Sequence, residues 1–307
     1  MDRYRKLSKY FKERYGTRVQ RIPIFAGFTC PNRDGTKGKG GCIFCDATGS
    51  GFAAFRNLPI REQVLKWKEI YKRKYKNVKF FAYFQAFTNT YAPVDVLREK
   101  YSDALVDEEI IGLDISTRPD VLPEEVLDLL DEFRKKVEVH LELGLQTVNY
   151  KTLKILNRGH TLAEFIDAVV RAKRRNYVIT THIIVNLPWD DMEDVIETAR
   201  IISALGIDGV KIHSLYVVKN TVLAKMYEEG RIKIGTLEDY INRVIMFLEH
   251  LSPDIIIHRL VADPPHEGTI FGNWGLSKTQ IVNMIEKEME KRDAWQGKKW
   301  KKLSLSV

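Results

Sequence analysis

The chain has 307 residues, 44% of them apolar, enough to bury a large core in one or two domains. Its 49 lysines and arginines exceed its 41 aspartates and glutamates by eight charges. No uninterrupted apolar run approaches the roughly 18 residues of a membrane span. The charged, aromatic opening MDRYRKLSKYFKERYG lacks the apolar centre of a secretory signal, so a cytoplasmic protein with no membrane partner is expected.

Cations interleaved with aromatics fill the first eighteen residues, from Arg3 and Tyr4 to Tyr15 and Arg18. A β-branched run over residues 19–27 then reads as a strand, and a glycine-rich loop with all three cysteines follows it. A second basic block covers residues 66–79, and strands are predicted over 78–85 and 110–117. A helix over 123–133 opens on Pro123 and two glutamates and carries Val126, Leu127, Leu130 and Phe133 on one face. Strand 137–147, helix 162–175, strand 178–187 and helix 192–205 come next, the last stopping before Gly206. Strand 209–218, helix 236–251 with a Thr-x-x-Asp start, and strand 254–262 complete the series, and a third basic block, 295–302, lies near the end.

Strands alternating with crossover helices require a parallel sheet. Six or seven such units fit an α/β fold built as a partial (β/α)6-type TIM-like barrel with basic terminal extensions. The expected division is a basic extension over 1–18, the barrel over 19–265, and a helical, basic C-terminal extension over 266–307. Folds of this kind carry chemistry on loops at the C-terminal ends of the strands, which is where the cysteine loop falls.

Cys30, Cys42 and Cys45 are the only cysteines, with eleven and two residues between them. An odd number cannot pair fully, and thiols in a reducing compartment serve more often as metal ligands or catalysts than as disulfides. Three thiolates on a four-iron cube leave one iron open to bind a small molecule, and the surrounding glycines let the loop wrap round it. A zinc site is the alternative; it needs a fourth ligand, and Asp34 or Asp46 would have to supply it.

Four further segments carry polar residues at strand ends: FFAYFQAFTNTY with Gln85, ISTRPD with Ser116, Thr117 and Arg118, LELGLQ with Glu142 and Gln146 followed twelve residues on by Arg158, and HIIVNLPWDD with His182 and Asn186. Together with the cysteine loop CPNRDG…GGCIFC, this order resembles the radical S-adenosylmethionine (SAM) superfamily over about residues 22–265. The resemblance is strongest to its YhcC/YtqA-type branch, beside elongator-like and coproporphyrinogen-oxidase-like members. The usual gaps between the cysteines are three and two residues, so the first gap here is a departure.

The resemblance implies that Cys30, Cys42 and Cys45 hold a [4Fe–4S] cluster whose open iron takes the amino and carboxylate groups of SAM. It implies that Gln85 meets the SAM amine, that Ser116 and Arg118 face the pocket, and that Glu142 and Gln146 hold the ribose hydroxyls or the sulfonium side. Arg158 would pair with the SAM carboxylate, as guanidinium chemistry favours, and His182 and Asn186 would touch SAM or substrate. The implied activity is hydrogen abstraction by a 5′-deoxyadenosyl radical, with wobble-uridine modification of tRNA as the implied role and a flavodoxin- or ferredoxin-type electron donor. The basic blocks suit an RNA backbone. Two other readings stand beside it: the same chemistry on a small metabolite, and a non-enzymatic RNA-binding protein with a structural metal. His213, His258, Arg259, Asp263 and His266 gather polar character near the last strands without an assigned role.

Overall fold

The computed structural model describes residues 2–49 and 51–301. Among these, the strands are β1 (Arg18–Ile24), β2 (Val78–Phe84), β3 (Ile110–Thr117), β4 (Glu138–Gln146), β5 (Val178–Ile184), β6 (Gly209–His213), β7 (Val217–Val218), β8 (Ile256–Arg259) and β9 (Thr269–Phe271). The helices are α1 (Leu7–Tyr15), α2 (Ile60–Lys74), α3 (Val94–Asp103), α4 (Glu124–Arg134), α5 (Tyr150–Ile155), α6 (Leu162–Arg174), α7 (Met192–Ala204), α8 (Val222–Glu228), α9 (Leu237–His250) and α10 (Lys278–Lys291).

Seven strands form one parallel sheet in the order β1-β2-β3-β4-β5-β6-β8, while β7 and β9 make a small antiparallel pair outside it. The sheet is an open, curled half-barrel of seven strands, within the six or seven units expected from the sequence. Its curl is visible in two contacts that join the edge strands. Helix α1 packs on both β1 and β8, and Arg21 of β1 reaches His258 of β8 with Nη2 3.0 Å from Nδ1.

Side chains alternate across the sheet. The outward set, including Ile22, Phe80, Leu113, Leu141, Ile179 and Ile212, is buried in one continuous core against the helices. Burying each such side chain contributes roughly 1.5–3 kcal/mol. The inward set is polar: Arg21, Tyr83, Asp114, Glu142, His182 and Lys211 project into the barrel.

The helix starts are set locally. Thr161 with Glu164, Asp191 with Asp194, and Ser277 with Gln280 form reciprocal capping boxes, and Thr236 Oγ1 accepts from the amide of Asp239. Gly206, at φ +63°, ends α7 as the sequence predicts. Helices α1, α2 and α3 were not read from the sequence, because strong charge masked their apolar stripes. In α2 the stripe is Ile60, Val64, Trp67 and Tyr71. The strand predicted over 209–218 is instead broken at 214–216, where the chain leaves the sheet before β7.

The basic blocks have a structural role. Arg3 pairs with Asp293 at 2.8 Å, Lys6 with Glu286 at 2.8 Å, and Arg14 with Glu138 at 3.0 Å. Lys72 lies 2.6 Å from Glu109, Arg18 stacks over Tyr75, and Lys299 pairs with Glu249 at 2.5 Å. All three blocks flank the N-terminal ends of the strands: residues 3–18 lead into β1, 66–79 lead into β2, and 295–301 fold back on Arg3 and Leu248. A seven-residue strand rises about 3.3 Å per residue, so these cations stand roughly 20 Å from the opposite mouth of the barrel. Lys302, the last cation of the third block, lies outside the described residues.

Candidate functional site: the cavity at the C-terminal ends of the strands

After β1 the chain crosses the C-terminal strand ends as a long loop held by local bonds. The carbonyl of Cys30 accepts from Arg33 N at 2.8 Å, and that of Cys42 from Cys45 N at 2.9 Å. The amide of Asn32 donates to the carbonyl of Asn157 at 2.5 Å, and the Asn157 amide returns a bond to Gly41 O at 2.8 Å. Arg33 clamps the far end through Cys45 O at 2.8 Å. Gly41 stands at φ +80°, a left-handed backbone that strains any residue with a Cβ, which would also stand 3.0 Å from the Arg33 side chain.

This pinning brings Cys30, Cys42 and Cys45 to the wall of one cavity of about 180 Å³. Burial, with the Cys42 sulfur beside it, pushes the Cys45 thiol up to about 11. Deprotonating Cys45 is favoured by nearby cationic charge, which a cluster's irons would supply. Among the described residues no three His, Cys, Asp or Glu side chains gather round a single metal ion. Asp34 and Asp46 accept from Thr36 at 2.7 Å and Thr48 at 2.8 Å and do not complete a zinc site.

The strand ends supply the rest of the wall: Gln85, Ser116, Arg118, Gln146, Arg158 and His182 all line the cavity. Arg158 is buried without a carboxylate partner among the described residues. Its Nη1 sits 3.2 Å from Cys42 Sγ, its Nη2 donates to Gly144 O at 2.9 Å, and its Nε donates to His160 at 3.1 Å. Burial and the Arg158 charge push His160 down to about 3, which keeps it a neutral acceptor. Arg118 is fixed by Asp120 through two bonds of 3.0 and 2.9 Å, and its Nη1 is buried without a partner. Gln146 is held at φ +75° where the β4–β5 register slips, a strained backbone at a cavity residue. Two buried guanidinium groups beside three sulfurs form a donor set that fits an iron–sulfur cluster and an anionic ligand.

Two expected residues are elsewhere. Asn186 does not line the cavity; its Oδ1 accepts from Leu215 N at 2.8 Å and holds the backbone where it leaves the sheet. Glu142 lies fully buried beneath the cavity floor, where Lys211 Nζ approaches to 2.5 Å and His182 Nε2 to 2.8 Å. Despite the cost of burial, the Lys211 charge, the hydrogen bond to His182 and the Arg21 charge hold Glu142 well below the usual carboxylate range. It is engaged by the protein and is not among the residues that line the cavity.

Glu142 belongs to a buried polar network that sequence reasoning did not assemble. Arg21 Nε lies 2.7 Å from Asp114 Oδ2, and Lys211 donates to the Tyr83 hydroxyl at 3.0 Å. A relay climbs from it to the cavity. His182 Nε2 meets Glu142, His213 Nε2 lies 3.1 Å from His182 Nδ1, and Arg259 Nη2 lies against the His213 ring, 2.8 Å from Nδ1 and 2.6 Å from Nε2. Burial pushes His182 down to about 4 and His213 well below its ordinary value, so both rings are neutral. His213, Arg259 and Asp263 line the cavity, whereas His258 is deep beside Arg21 and His266 is exposed. The available signal was charge inside apolar strands: Arg21 in VQRIPI, Asp114 in IIGLDIST and Lys211 in GVKIH.

Comparison with known proteins bears on this geometry. The Radical SAM superfamily model matches residues 30–202 and the Radical_SAM C-terminal domain model matches residues 207–291. The chain belongs to the radical SAM superfamily. The protein is therefore an enzyme of this class, with a [4Fe–4S] cluster and SAM as its cofactors. It is 39% identical over 302 residues to an uncharacterised protein, YtqA of Bacillus subtilis (strain 168), covering 98% of this chain and 94% of YtqA. It is 26% identical over 193 residues to the tRNA uridine(34) acetyltransferase of Methanocaldococcus jannaschii, covering 60% of this chain and 34% of that protein. The structure of Methanocaldococcus infernus Elp3 superposes with a TM-score of 0.67 at 20% identity, covering 78% of this chain and 61% of that one. The two family models meet between α7 and β6, yet β6 pairs with β5, so one sheet runs across the boundary. Among the described residues no helix is long and apolar enough to cross a membrane.

Proposed function

We propose that this radical SAM enzyme modifies a nucleoside of tRNA, with the wobble uridine as the target. In this reading Cys30, Cys42 and Cys45 hold the cluster, and Arg158, Arg118, Gln85, Ser116 and Gln146 surround SAM. Bound there, the cluster and SAM supply a 5′-deoxyadenosyl radical for hydrogen abstraction. The protein's own part is to hold Arg158 against Cys42 and Gly144, so that one guanidinium braces the cysteine loop and faces the SAM carboxylate. A single observation carries the reading: three cysteines distant from Arg158 in sequence share one cavity wall with it at the strand ends.

The tRNA assignment rests on the name of the archaeal relative and on the rim of the cavity rather than on the basic blocks. Lys39 and Arg56 lie in the cysteine-bearing segment that follows β1, and Lys151 and Lys154 lie on α5, which follows β4. Phe52, 39% exposed, lines the cavity, and Tyr150, 49% exposed, opens α5 with Lys154 over its ring. Cations mixed with exposed rings suit a phosphate backbone and unstacked bases. A flavodoxin- or ferredoxin-type protein would supply the electron.

The test is anaerobic reconstitution followed by quantification of iron, sulfide and 5′-deoxyadenosine in the presence of bulk tRNA. Each cysteine-to-alanine variant is expected to lose cluster and SAM cleavage together. Full iron loading after all three substitutions would refute the ligand set. tRNA affinity should fall steeply with salt, by a slope of roughly 0.7–0.9 per phosphate contact. It should fall on replacing Lys39, Arg56, Lys151 and Lys154 by alanine, and a flat salt series would favour a small metabolite.

A further inference from the structure

We propose that Arg259 anchors an oxyanion subsite on the β6–β8 side of the cavity, which binds a carboxylate or phosphate group carried by the substrate. The inference deepens the radical-enzyme reading and rests on it only in calling the ligand a substrate.

Charge inside the barrel is not balanced. Three cations project there: Arg21, Lys211 and Arg259. Two carboxylates answer them, Asp114 and Glu142. The four interacting groups Arg21, Asp114, Glu142 and Lys211 neutralise one another at 2.5 to 3.7 Å. The interior histidines do not change the balance, since burial holds His182, His213 and His258 below their ordinary values and they remain neutral. Arg259 is the surplus. Among the described residues no carboxylate lies within ion-pair distance of it, and its Nε is buried without a hydrogen-bond partner. The nearby cavity carboxylate, Asp263, is taken by Lys278 at 2.9 Å. A partly buried guanidinium with an orphaned N–H is costly unless an anion reaches it.

Geometry prepares Arg259 for such a ligand. Its Nη2 is anchored on His213, and the relay through His182 to Glu142 fixes the His213 ring. The fork is thereby ordered before a ligand arrives, which lowers the entropy lost on binding. Arg259 and His213 lie on β8 and β6 and line the same cavity as the cysteines of the loop after β1. A substrate held there by an anionic group stays within the cavity that the cysteine loop lines, where Tyr216 is also a lining residue.

The test titrates acetate and inorganic phosphate separately, at constant ionic strength, into the full chain with and without reconstituted cluster, and follows the thermal midpoint. A ligand that binds only the folded chain raises the midpoint in a saturable way. Stabilisation by acetate alone assigns a carboxylate, by phosphate alone a phosphate, and by both the shared oxyanion chemistry. Arg259→Gln is expected to weaken the affinity at least tenfold, and Arg259→Lys, which keeps the charge but loses the fork, to weaken it less. The proposal is overturned if neither anion gives a saturable shift, or if Arg259→Gln titrates like the unaltered chain. It is also overturned if saturating SAM abolishes the anion effect, because the anion would then occupy the place of the SAM carboxylate. Iron content and SAM cleavage decide the cluster reading separately, so its failure is distinguishable from failure of the subsite.

Discussion

Replacing Glu142 by glutamine isolates the energetics of the buried network. The carboxylate is fully buried, 2.5 Å from Lys211 Nζ and 3.7 Å from Arg21 Nη1, with His182 at 2.8 Å. An amide keeps the shape and removes the charge, which leaves Lys211 buried and unmatched. Breaking a buried pair from one side costs about 3–5 kcal/mol. Unfolding entropy is about 2.1 cal/mol/K per residue, so 307 residues give about 0.65 kcal/mol/K. The expected fall in Tm is then about 5–8 °C, read by scanning calorimetry and guanidinium unfolding of the cluster-free chain. Glu142→Leu combined with Lys211→Met removes both charges and leaves Arg21 matched to Asp114. That double variant should regain stability to within about 1 kcal/mol of the original. If Glu142→Gln alone unfolds within about 1 kcal/mol of the unaltered chain, or if the double variant is as unstable as the summed single variants, the charges are not desolvated and the reasoning fails.

Other outcomes follow from particular contacts. Burial raises Glu138, but His140, Tyr15 and Arg14 outweigh it and hold the carboxyl down at about 2. Its folded value lies below its unfolded one. Its stabilisation is therefore fully present above about pH 4.5 and is lost as pH falls toward 2, so the urea-midpoint gap between the chain and Glu138→Gln should shrink from pH 6 to pH 3. Arg158→Met removes the brace between Cys42 and Gly144, and a chelator should strip iron from the reconstituted variant faster than from the unaltered chain; equal rates would show that the loop holds the cluster without it. A Cβ at Gly112 would lie 2.2 Å from the Phe81 ring, which stacks on Phe11 of α1. Gly112→Ala should cost about 1–3 kcal/mol in denaturant unfolding, and an unchanged midpoint would mean that the ring yields freely.

The legible part of this protein was local. The alternation of β-branched runs with amphipathic stretches gave seven strands in their places, because in a parallel sheet the strands between apolar helices must themselves be rich in apolar residues. Thr236 marked a helix start because a cap is a bond within three residues. The three cysteines and Arg158 were identifiable because their chemistry is scarce and their spacing distinctive. Charge obscured other elements: Lys72 to Lys74 hid the helix they end, and several of the cations that looked like an RNA surface, Arg3, Lys6, Arg14, Lys72 and Lys299 among them, are held by carboxylates roughly 20 Å from the cavity.

What the chain's own order determined was which residues face outward and which inward on each strand, since period two is a property of the extended backbone. Only the tertiary structure decided which inward residues meet. Arg21 touches His258 across the open edge, and Lys211 and Glu142 meet over sixty-nine positions. Asn186 and Glu142, which sit in motifs at strand ends, turn away from the cavity, while Arg259 turns toward it. Curl, register and the bulges between Gly144 and Gln146 and between Val210 and Lys211 set those directions. They are fixed by the packing of the whole sheet against its helices, and no single segment encodes them.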